Sequence, residues 1–214
     1  MAGLLREGPA QRVREGTHAV YYEVMLKHSR MLALETEAPK FSLADGSGRR
    51  FTLDEIAGQK PVLVAFICNH CPYVRHMAAG LAQFARDYRA QGLAVAAISP
   101  NDVASYPQDG PSQMLEFARE NGFSFPYLYD ETQQTALAYG AVCTPDLFLF
   151  DRQRRLAYRG QFDSSRPNSR ATVTGSDLRA AADAVLAGQS VGGAQLPSAG
   201  CSIKWKPQNE PDWA

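Results

Sequence analysis

The sequence predicts an α/β domain, with a central mixed β-sheet flanked by helices. Two continuous apolar runs, at 61–67 and 93–98, are separated by a strongly amphipathic helix, as in parallel strands that are buried on both faces. Hairpin patterns at 41–53 and 147–158 come before and after this unit and add antiparallel neighbours. A parallel centre with antiparallel additions makes the sheet mixed.

The two ends of the chain differ from this central part. Residues 1–33 are of mixed charge, with a short helix expected around 20–26, and we interpret them as a loosely ordered N-terminal extension. Residues 34–190 then form the domain. Residues 191–214 are a tail of Pro, Gly and polar residues, which we expect to pack back on the domain through Trp205.

The first half of the domain begins with a hairpin and continues with a strand and a helix. Residues 44–48 are Ala-Asp-Gly-Ser-Gly, which tolerate the positive φ of a tight turn between two short strands. The apolar strand 61–67 leads into the helix with the strongest periodicity. Its apolar residues recur at spacings of three and four from Val74 to Tyr88, and Gly92 ends it.

The second half continues with alternating strands and helices. Asp130 is expected to cap a helix, with Gln133 three residues later and Gly140 at the end. The other elements are a strand over 93–98, a helix over 111–121, a strand over 125–129, a hairpin of 147–150 with 156–158, and a helix over 177–186.

Charge and hydropathy exclude several function classes. Lys plus Arg and Asp plus Glu each number 22, so the net charge is zero, whereas binding to nucleic acid or an anionic membrane needs a basic surface. No apolar run reaches the ~18 residues of a membrane span, and no secretory signal is visible. The four cysteines are too few for a disulfide scaffold. We therefore expect a cytoplasmic monomer or homodimer that binds neither nucleic acid nor membrane.

Two cysteines separated by two residues lie where the first apolar strand meets the best helix. Cys68 and Cys71 can close a small disulfide ring there, and the positive end of the helix stabilises a thiolate. His70 between them adds charge when protonated. A thiol with a pKa of about 8.5 is only ~3% ionised at pH 7, whereas one with a pKa of about 7 is half ionised. Since the thiolate attacks, this placement favours thiol–disulfide exchange. Asn69, His70 and Pro72 are expected to tune the pair.

Two other interpretations of this motif are weaker. Both cysteines can simply fill the top of the core, as buried thiols often do. A zinc site needs four ligands, and the local set is Cys68, His70, Cys71 and His76, with no second Cys or His pair to complete a usual site. We therefore predict no metal and no cofactor.

The run Val-Ala-Phe-Ile-Cys-Asn-His-Cys-Pro-Tyr-Val at 64–74 resembles the active-site segment of thioredoxin-like proteins. It is most similar to the peroxiredoxin-like branch of the alkyl hydroperoxide reductase and thiol-specific antioxidant (AhpC/TSA) superfamily that keeps a Cys-x-x-Cys. The resemblance implies a thioredoxin-like fold with an N-terminal hairpin and an inserted strand and helix segment. It spans about 36–205, with supporting stretches at 38–43, 99–102, 125–133, 144–151 and 200–206.

The resemblance also implies a role for residues far from the dithiol in sequence. Pro145 matches the proline that thioredoxin folds hold in a cis peptide opposite the Cys-x-x-Cys, where the Thr144 backbone faces a bound thiol or peptide. Cys143 lies two residues before this proline, and Cys201 lies in the tail. Each is a candidate extra thiol, although a buried cysteine at 143 and an inert or exposed one at 201 are the simpler interpretations.

Two departures from the family patterns bear on the activity. Thioredoxins carry a buried acid six residues before the first cysteine, where this chain has Val62. When Cys71 is aligned with the peroxide-attacking cysteine of peroxiredoxins, Val64 replaces their proline and Cys68 replaces their threonine. Peroxide chemistry is therefore less well supported than dithiol chemistry.

The sequence thus predicts a thiol–disulfide oxidoreductase. Cys68 attacks the disulfide of a protein or small-molecule substrate, Cys71 resolves the mixed disulfide, and an unidentified electron donor restores the pair. One alternative is a thiol peroxidase, an antioxidant enzyme with Cys71 as the peroxide-attacking thiol and Cys68 resolving it. The other is a non-catalytic thioredoxin-fold module that senses redox state.

Overall fold

The computed structural model of the protein describes residues 26–213. In chain order, the strands are β1 Leu26–His28, β2 Ser42–Asp45, β3 Arg50–Thr52, β4 Val62–Phe66, β5 Ala94–Ser99, β6 Tyr127–Tyr129, β7 Cys143–Thr144, β8 Asp146–Phe150, β9 Leu156–Arg159 and β10 Ala199–Ser202. The helices are α1 Leu53–Ala57, α2 Pro72–Arg89, α3 Pro111–Glu120, α4 Gln134–Tyr139 and α5 Ser176–Leu186, and a single 3-10 turn spans Pro107–Asp109.

These strands form two sheets. The central sheet has seven strands in the order β3-β2-β6-β5-β4-β8-β9. Its middle strands β6, β5 and β4 are parallel, whereas the pairings outside them are antiparallel. A smaller antiparallel sheet has the order β1-β10-β7. The predicted fold class, α/β with a mixed sheet flanked by helices, is confirmed, and both predicted hairpins are present.

Two apolar cores lie on opposite faces of the central sheet. On what we call the dithiol face, Leu63 and Ala65 of β4 pack with buried residues of α2, α3 and α5. On the opposite face, Val64 and Phe66 pack with buried residues of α1 and α4. Because every residue of β4 faces one core or the other, the strand reads as a continuous apolar run.

The smaller sheet holds the backbone around Pro145. The Thr144–Pro145 peptide bond is cis, as predicted. Strand β10 pairs with β7 so that Cys201 lies opposite Thr144. A Cβ on Gly200 would lie 2.1 Å from the Thr144 carbonyl oxygen, so only glycine allows this close approach.

The start of α4 differs from the prediction. The helix begins at Gln134 rather than at Asp130, because Gln133 adopts a left-handed backbone with φ 61°. Asp130 still helps to cap the helix, since its carboxylate accepts the Ala136 N–H at 2.8 Å. The Gln133 side chain turns away and donates to the carbonyl oxygens of Pro100 and Lys204.

Short elements near the ends of the chain were not predicted. The helix expected around 20–26 lies outside the described residues except for Leu26, which starts β1. Thr52 and Glu55 form a capping box that starts α1. In the tail, β10 pairs with both β1 and β7, and Trp205 packs against the core of the opposite face.

The division of the chain into an extension (1–33), a domain (34–190) and a tail (191–214) stays a prediction. Within the described part of the chain, no helix is both long and apolar enough to cross a membrane.

Candidate active site

The two cysteines of the Cys-x-x-Cys motif lie at the junction between β4 and α2. Strand β4 ends at Phe66, and Cys71 is the last residue before α2, with Pro72 at the first helical position. Proline fits there because the first helical N–H needs no partner within the helix. The motif therefore sits at the free N–H groups that open α2, as the sequence predicts.

Thr144 contacts both sulfur atoms. Cys68 Sγ lies 3.2 Å from Thr144 Oγ1, and the Cys71 thiol donates to the Thr144 carbonyl oxygen at 3.0 Å. Each thiol also shifts the pKa of the other, since Cys71 raises that of Cys68 and Cys68 lowers that of Cys71. Both cysteines are free and almost completely buried, with 1% of Cys68 and none of Cys71 exposed. The two thiols therefore hardly differ in their access to solvent.

A third thiol, that of Cys201, also lies against the motif. Strand β10 brings Cys201 opposite Thr144, whose carbonyl oxygen accepts the hydrogen bond from the Cys71 thiol. The residue is buried, so of the two simpler interpretations, an inert or an exposed cysteine, the exposed one is wrong. Cys68, Cys71 and Cys201 thus lie in one buried cluster around Thr144. Sequence alone did not reveal this, because the contact depends on the register of β10.

Cys143 lies close by but outside this group. It is completely buried, and its thiol donates to the Pro145 carbonyl oxygen at 3.4 Å. Burial and the Asp146 carboxylate raise the pKa of Cys143. The structure agrees with the simpler interpretation of this residue as a small buried side chain.

The three neighbouring thiols have different proton affinities. Burial opposes ionisation of Cys71, but hydrogen bonds from Cys201, Cys68 and the Val74 N–H together hold its pKa well below the usual range. Burial, the hydrogen bond to Cys71 and the nearby Asp109 carboxylate raise the pKa of Cys68. The hydrogen bond to Cys71 and burial likewise raise the pKa of Cys201. These directions make Cys71 the first of the three thiols to ionise, and on ionising it gives up its hydrogen bond to the Thr144 carbonyl oxygen.

Asp109 organises the loop between the cysteines, and sequence reasoning missed it. One carboxylate oxygen accepts the backbone N–H groups of Asn69 and His70 at 2.8 and 3.2 Å. The other bonds to His70 Nδ1 at 2.6 Å and accepts the Asn101 side-chain amide at 2.8 Å. Asp109 is completely buried, and its carboxylate holds the motif through three hydrogen bonds while a fourth, from Asn101, fixes the carboxylate itself. Its signal in the sequence was an acid in the Pro- and Gly-framed stretch at 106–111.

His70 connects this buried network to the surface. A ring nitrogen of His70 and a carboxylate oxygen of Asp109 lie within 4.8 Å of the Cys68 sulfur and of each other. The imidazole stacks on Tyr106, with ring centroids 5.4 Å apart, and is partly exposed. Since Nδ1 is bound to Asp109, Nε2 is the basic nitrogen of the neutral ring. A cysteine beside a histidine that is oriented by an acid is an arrangement that activates thiols.

Asn69 stabilises the other side of the motif. Its amide nitrogen donates to the Gln108 carbonyl oxygen at 3.0 Å, and its amide oxygen accepts the Tyr127 hydroxyl at 3.0 Å. Asn69 is buried, so its side chain fixes the loop rather than meeting solvent.

Some of these residues are also potential metal ligands. Cys68, His70 and Asp109 are the three potential ligands that come together. However, the Asp109 oxygens already take part in four hydrogen bonds, so a cation would have to displace them. His76 bonds to Ser165 at 2.9 Å instead of joining the group. Hydrogen bonding explains this cluster without an ion.

Two surface depressions lie beside the motif. One contains Asn69 and His70 together with Arg75 and Glu116. The other lies on the Pro145 side and contains Tyr73, His76, Pro145, Arg166 and Ala199, which is two residues from Cys201. Each depression borders a residue next to the thiols, His70 in the first and Pro145 in the second, whereas the thiols themselves are buried beneath the surface.

The chain is similar to one protein family and to several proteins of known structure. The model of the AhpC/TSA family matches residues 34–159. A hypothetical protein from Sinorhizobium meliloti 1021 is 50% identical, covers 84% of this chain and 98% of its own, and superposes with a TM-score of 0.82. An uncharacterized conserved protein from Geobacillus kaustophilus is 47% identical, with coverages of 85% and 97% and a TM-score of 0.83.

More distant relatives carry functional names. Two Mycobacterium tuberculosis proteins, each named "putative peroxiredoxin", are 27% identical over 105 residues, which is 49% of this chain. The chain spans 62% of the length of these relatives. The thioredoxin domain of a thiol-disulfide oxidoreductase from Bacteroides vulgatus is 18% identical, covers 69% of this chain and 96% of its own, and has a TM-score of 0.53. This last likeness shows that the fold is thioredoxin-like, as expected.

Proposed function

The chain belongs to the AhpC/TSA family, and we propose that within this family it is a thiol–disulfide oxidoreductase that works through Cys68 and Cys71. One observation carries the proposal: the sulfur atoms of Cys68 and Cys71 both lie against Thr144, 3.2 Å from its hydroxyl oxygen and 3.0 Å from its carbonyl oxygen. Thiols this close can alternate between a dithiol and a disulfide without rearrangement of the fold.

The first step is attack by Cys68 on a substrate disulfide. The pKa of Cys68 is raised, so the thiol needs a base, and His70, held by Asp109, takes its proton. The Cys68 thiolate bonds to one sulfur of the substrate, and the other substrate sulfur leaves as a thiolate. A thiol of high pKa is intrinsically the more nucleophilic once ionised, which suits the attacking position.

The second step is resolution by Cys71. Its thiolate is held ready by the Val74 N–H and the neighbouring thiols, and it bonds to the Cys68 sulfur. The Cys68–substrate bond breaks, and the reduced substrate leaves with its second thiolate. The product is a Cys68–Cys71 disulfide, which an unidentified donor reduces. Run in reverse, the same steps oxidise a dithiol.

The lowered pKa of Cys71 favours a second candidate function. As a thiol peroxidase, the Cys71 thiolate would attack a peroxide to give a sulfenic acid and release hydroxide or alkoxide. Cys68 would then condense with the sulfenic acid to give the same disulfide and water. This function ranks second, because the Cys71 sulfur lies against the Thr144 carbonyl oxygen, and Val64 and Cys68 stand where peroxiredoxins have proline and threonine.

The test is disulfide exchange by purified single-cysteine variants, with oxidised glutathione as the substrate. We expect Cys68→Ser to abolish turnover, and Cys71→Ser to stop after gaining one glutathionyl group on Cys68. Cys143→Ser is the matched control, a buried cysteine outside the thiol group, and it should behave as wild type. If Cys71→Ser gains no adduct while Cys68→Ser gains one, the assigned order of attack is wrong.

Peroxide consumption by the same variants separates the two candidate functions. Under the proposed function, neither Cys68→Ser nor Cys71→Ser consumes hydrogen peroxide faster than the Cys143→Ser control does. Rapid consumption by Cys68→Ser would instead establish the peroxidase. An absence of exchange in every form, with partner binding retained, would favour the redox-sensing module. A cytoplasmic location and a monomeric or homodimeric state stay predictions.

A further inference from the structure

We propose that Cys201 is a third redox thiol of the site, to which the disulfide moves from the Cys68–Cys71 pair. This inference rests on the proposed function, because it needs the Cys68–Cys71 disulfide as its starting state. The geometry behind it is that Cys68, Cys71 and Cys201 all adjoin Thr144: the Cys68 and Cys71 sulfur atoms lie 3.2 and 3.0 Å from its hydroxyl and carbonyl oxygens, and Cys201 lies opposite it in the pairing of β10 with β7. A central sulfur with a thiol on either side is the arrangement that thiol–disulfide exchange requires.

The structure holds Cys201 in this position through its backbone. The register of β10 with β7 places Cys201 opposite Thr144, whose carbonyl oxygen is 3.0 Å from the Cys71 sulfur. The neighbouring Gly200 lets β10 approach this closely, since a side chain there would collide with the same carbonyl group. Glycine followed by cysteine therefore meets two needs: one residue gives the approach, and the other supplies the thiol.

The proposed step balances without an added oxidant or reductant. The Cys201 thiol loses its proton to Cys68 as it attacks the Cys71 sulfur of the Cys68–Cys71 disulfide. The Cys71–Cys201 bond forms, the Cys68–Cys71 bond breaks, and Cys68 leaves as the thiol. The number of disulfides stays the same, and the attacking thiol is free again beside His70.

Cys143 shows why contact matters more than nearness. It lies on β7, the strand that pairs with β10, and is also buried. Its thiol, however, bonds to the Pro145 carbonyl oxygen and not to another sulfur. Cys143 is therefore the control for a buried cysteine in the same part of the fold that does not take part in exchange.

Disulfide mapping of the full-length protein tests the proposal. The reduced protein is titrated with diamide, quenched in acid, alkylated and digested without reduction, and the linked peptides are measured by mass spectrometry. In wild type we expect both the Cys68–Cys71 and the Cys71–Cys201 links, with populations within about tenfold of each other. A tenfold ratio corresponds to a difference of about 30 mV between the reduction potentials of the two disulfides. Cys68→Ser should give only the Cys71–Cys201 link. Cys201→Ser should give only the Cys68–Cys71 link, and Cys143→Ser should match wild type.

The outcomes separate failure of this inference from failure of the proposed function. If Cys68→Ser forms no Cys71–Cys201 link under conditions that fully oxidise wild type, the transfer to Cys201 is wrong and the dithiol function stands. If wild type forms no Cys68–Cys71 link at all, the proposed function is wrong as well. Cys201→Ala is mapped beside Cys201→Ser, and circular dichroism of both confirms that a lost link reflects a lost thiol and not a lost fold.

Discussion

Two completely buried aspartates lie on opposite sides of the dithiol region and serve different ends. Asp109 takes part in four hydrogen bonds, all to the motif or to Asn101, and fixes the loop that carries the thiols. Asp146 follows the cis-Pro145 and shares the opposite face of the sheet with its register partner Phe66. It accepts the Ser29 hydroxyl and backbone N–H groups, and burial raises its pKa to about 7.

The comparison shows what the surroundings do to a buried carboxylate. Asp109, with four hydrogen-bond partners, acts as a structural centre for the active loop. Asp146 lies in the apolar core, where burial raises its pKa and makes it a pH-dependent part of the fold. The four predictions below test this contrast, from the largest expected effect to the smallest.

Asp109→Asn should have the largest effect. An amide nitrogen would face N–H donors that now bond to a carboxylate oxygen, which leaves buried groups unpaired. We expect a loss of about 3–5 kcal/mol in the free energy of unfolding, measured by urea denaturation, together with a large loss of exchange rate. Asp87→Asn, which breaks a surface pair with Arg179, is the control and should change neither value. If Asp109→Asn is as stable as wild type, the Asp109 carboxylate does not hold the loop that carries the thiols.

Asp146 should make stability fall as pH rises. Its folded pKa of about 7 lies above the usual 3.8, so the folded state holds the proton more tightly between those values. Below pH 3.8 this group contributes no slope. From about pH 4 to 7 it should lower the free energy of unfolding by up to ~1.4 kcal/mol per pH unit, and above 7 the loss is complete.

Asp146→Asn is the variant that isolates this slope. Urea denaturation of both proteins at several pH values between 4 and 8 gives the difference curve, in which other titrating groups cancel. As pH rises, the free energy of unfolding of Asp146→Asn should increase relative to that of wild type. A difference that does not change with pH would show that Asp146 stays ionised in the fold, and the contrast with Asp109 would be lost.

Gly200→Ala should disturb the dithiol side through the backbone. The new Cβ would lie 2.1 Å from the Thr144 carbonyl oxygen, so β10 must move away from β7. We expect a loss of about 1–3 kcal/mol in stability and fewer Cys71–Cys201 links on oxidation. Gly192→Ala is the matched control, because a Cβ there meets nothing within 4 Å. An unchanged yield of the link would mean that β10 need not pack this closely.

Ser29→Ala should have the smallest effect, on the opposite face. The Ser29 hydroxyl donates to Asp146 and lowers its pKa, so its removal should raise that pKa further. We expect a stability loss of about 1 kcal/mol at pH 7, measured by urea denaturation. In an Asp146→Asn background, Ser29→Ala should lower the free energy of unfolding by less than it does in wild type. Equal costs in both backgrounds would show that the hydroxyl does not act through the carboxylate.

Much of the fold was readable from local patterns. The alternation of apolar runs and amphipathic helices predicts β4, α2 and β5, since each of these elements carries its own signal over many residues. The capping box at Thr52 and Glu55 was also readable, but it overlaps the end of a strand. The short, glycine-containing β10 has no such pattern, because its partner β7 decides its conformation.

The site was predictable only where it is local. Spacing alone placed Cys68 and Cys71 at the start of a helix, and a family resemblance placed Pro145 opposite them. Asp109 reaches the motif from about 40 residues away, through a short 3-10 turn in the inserted segment. Cys201 reaches it through strand register. Long-range contacts of this kind leave no periodic trace in one sequence.

The order of the strands along the chain has a consequence for synthesis. Cys68 and Cys71 leave the ribosome long before β10, which completes their surroundings. A nascent chain that ends at α5 already holds the two reactive thiols but lacks Gly200 and Cys201. Until β10 pairs with β7, the site lacks both the third cysteine and the glycine that packs against Thr144. Pairing of β10 with β7 therefore completes the surroundings of the dithiol only after α5 has been synthesised.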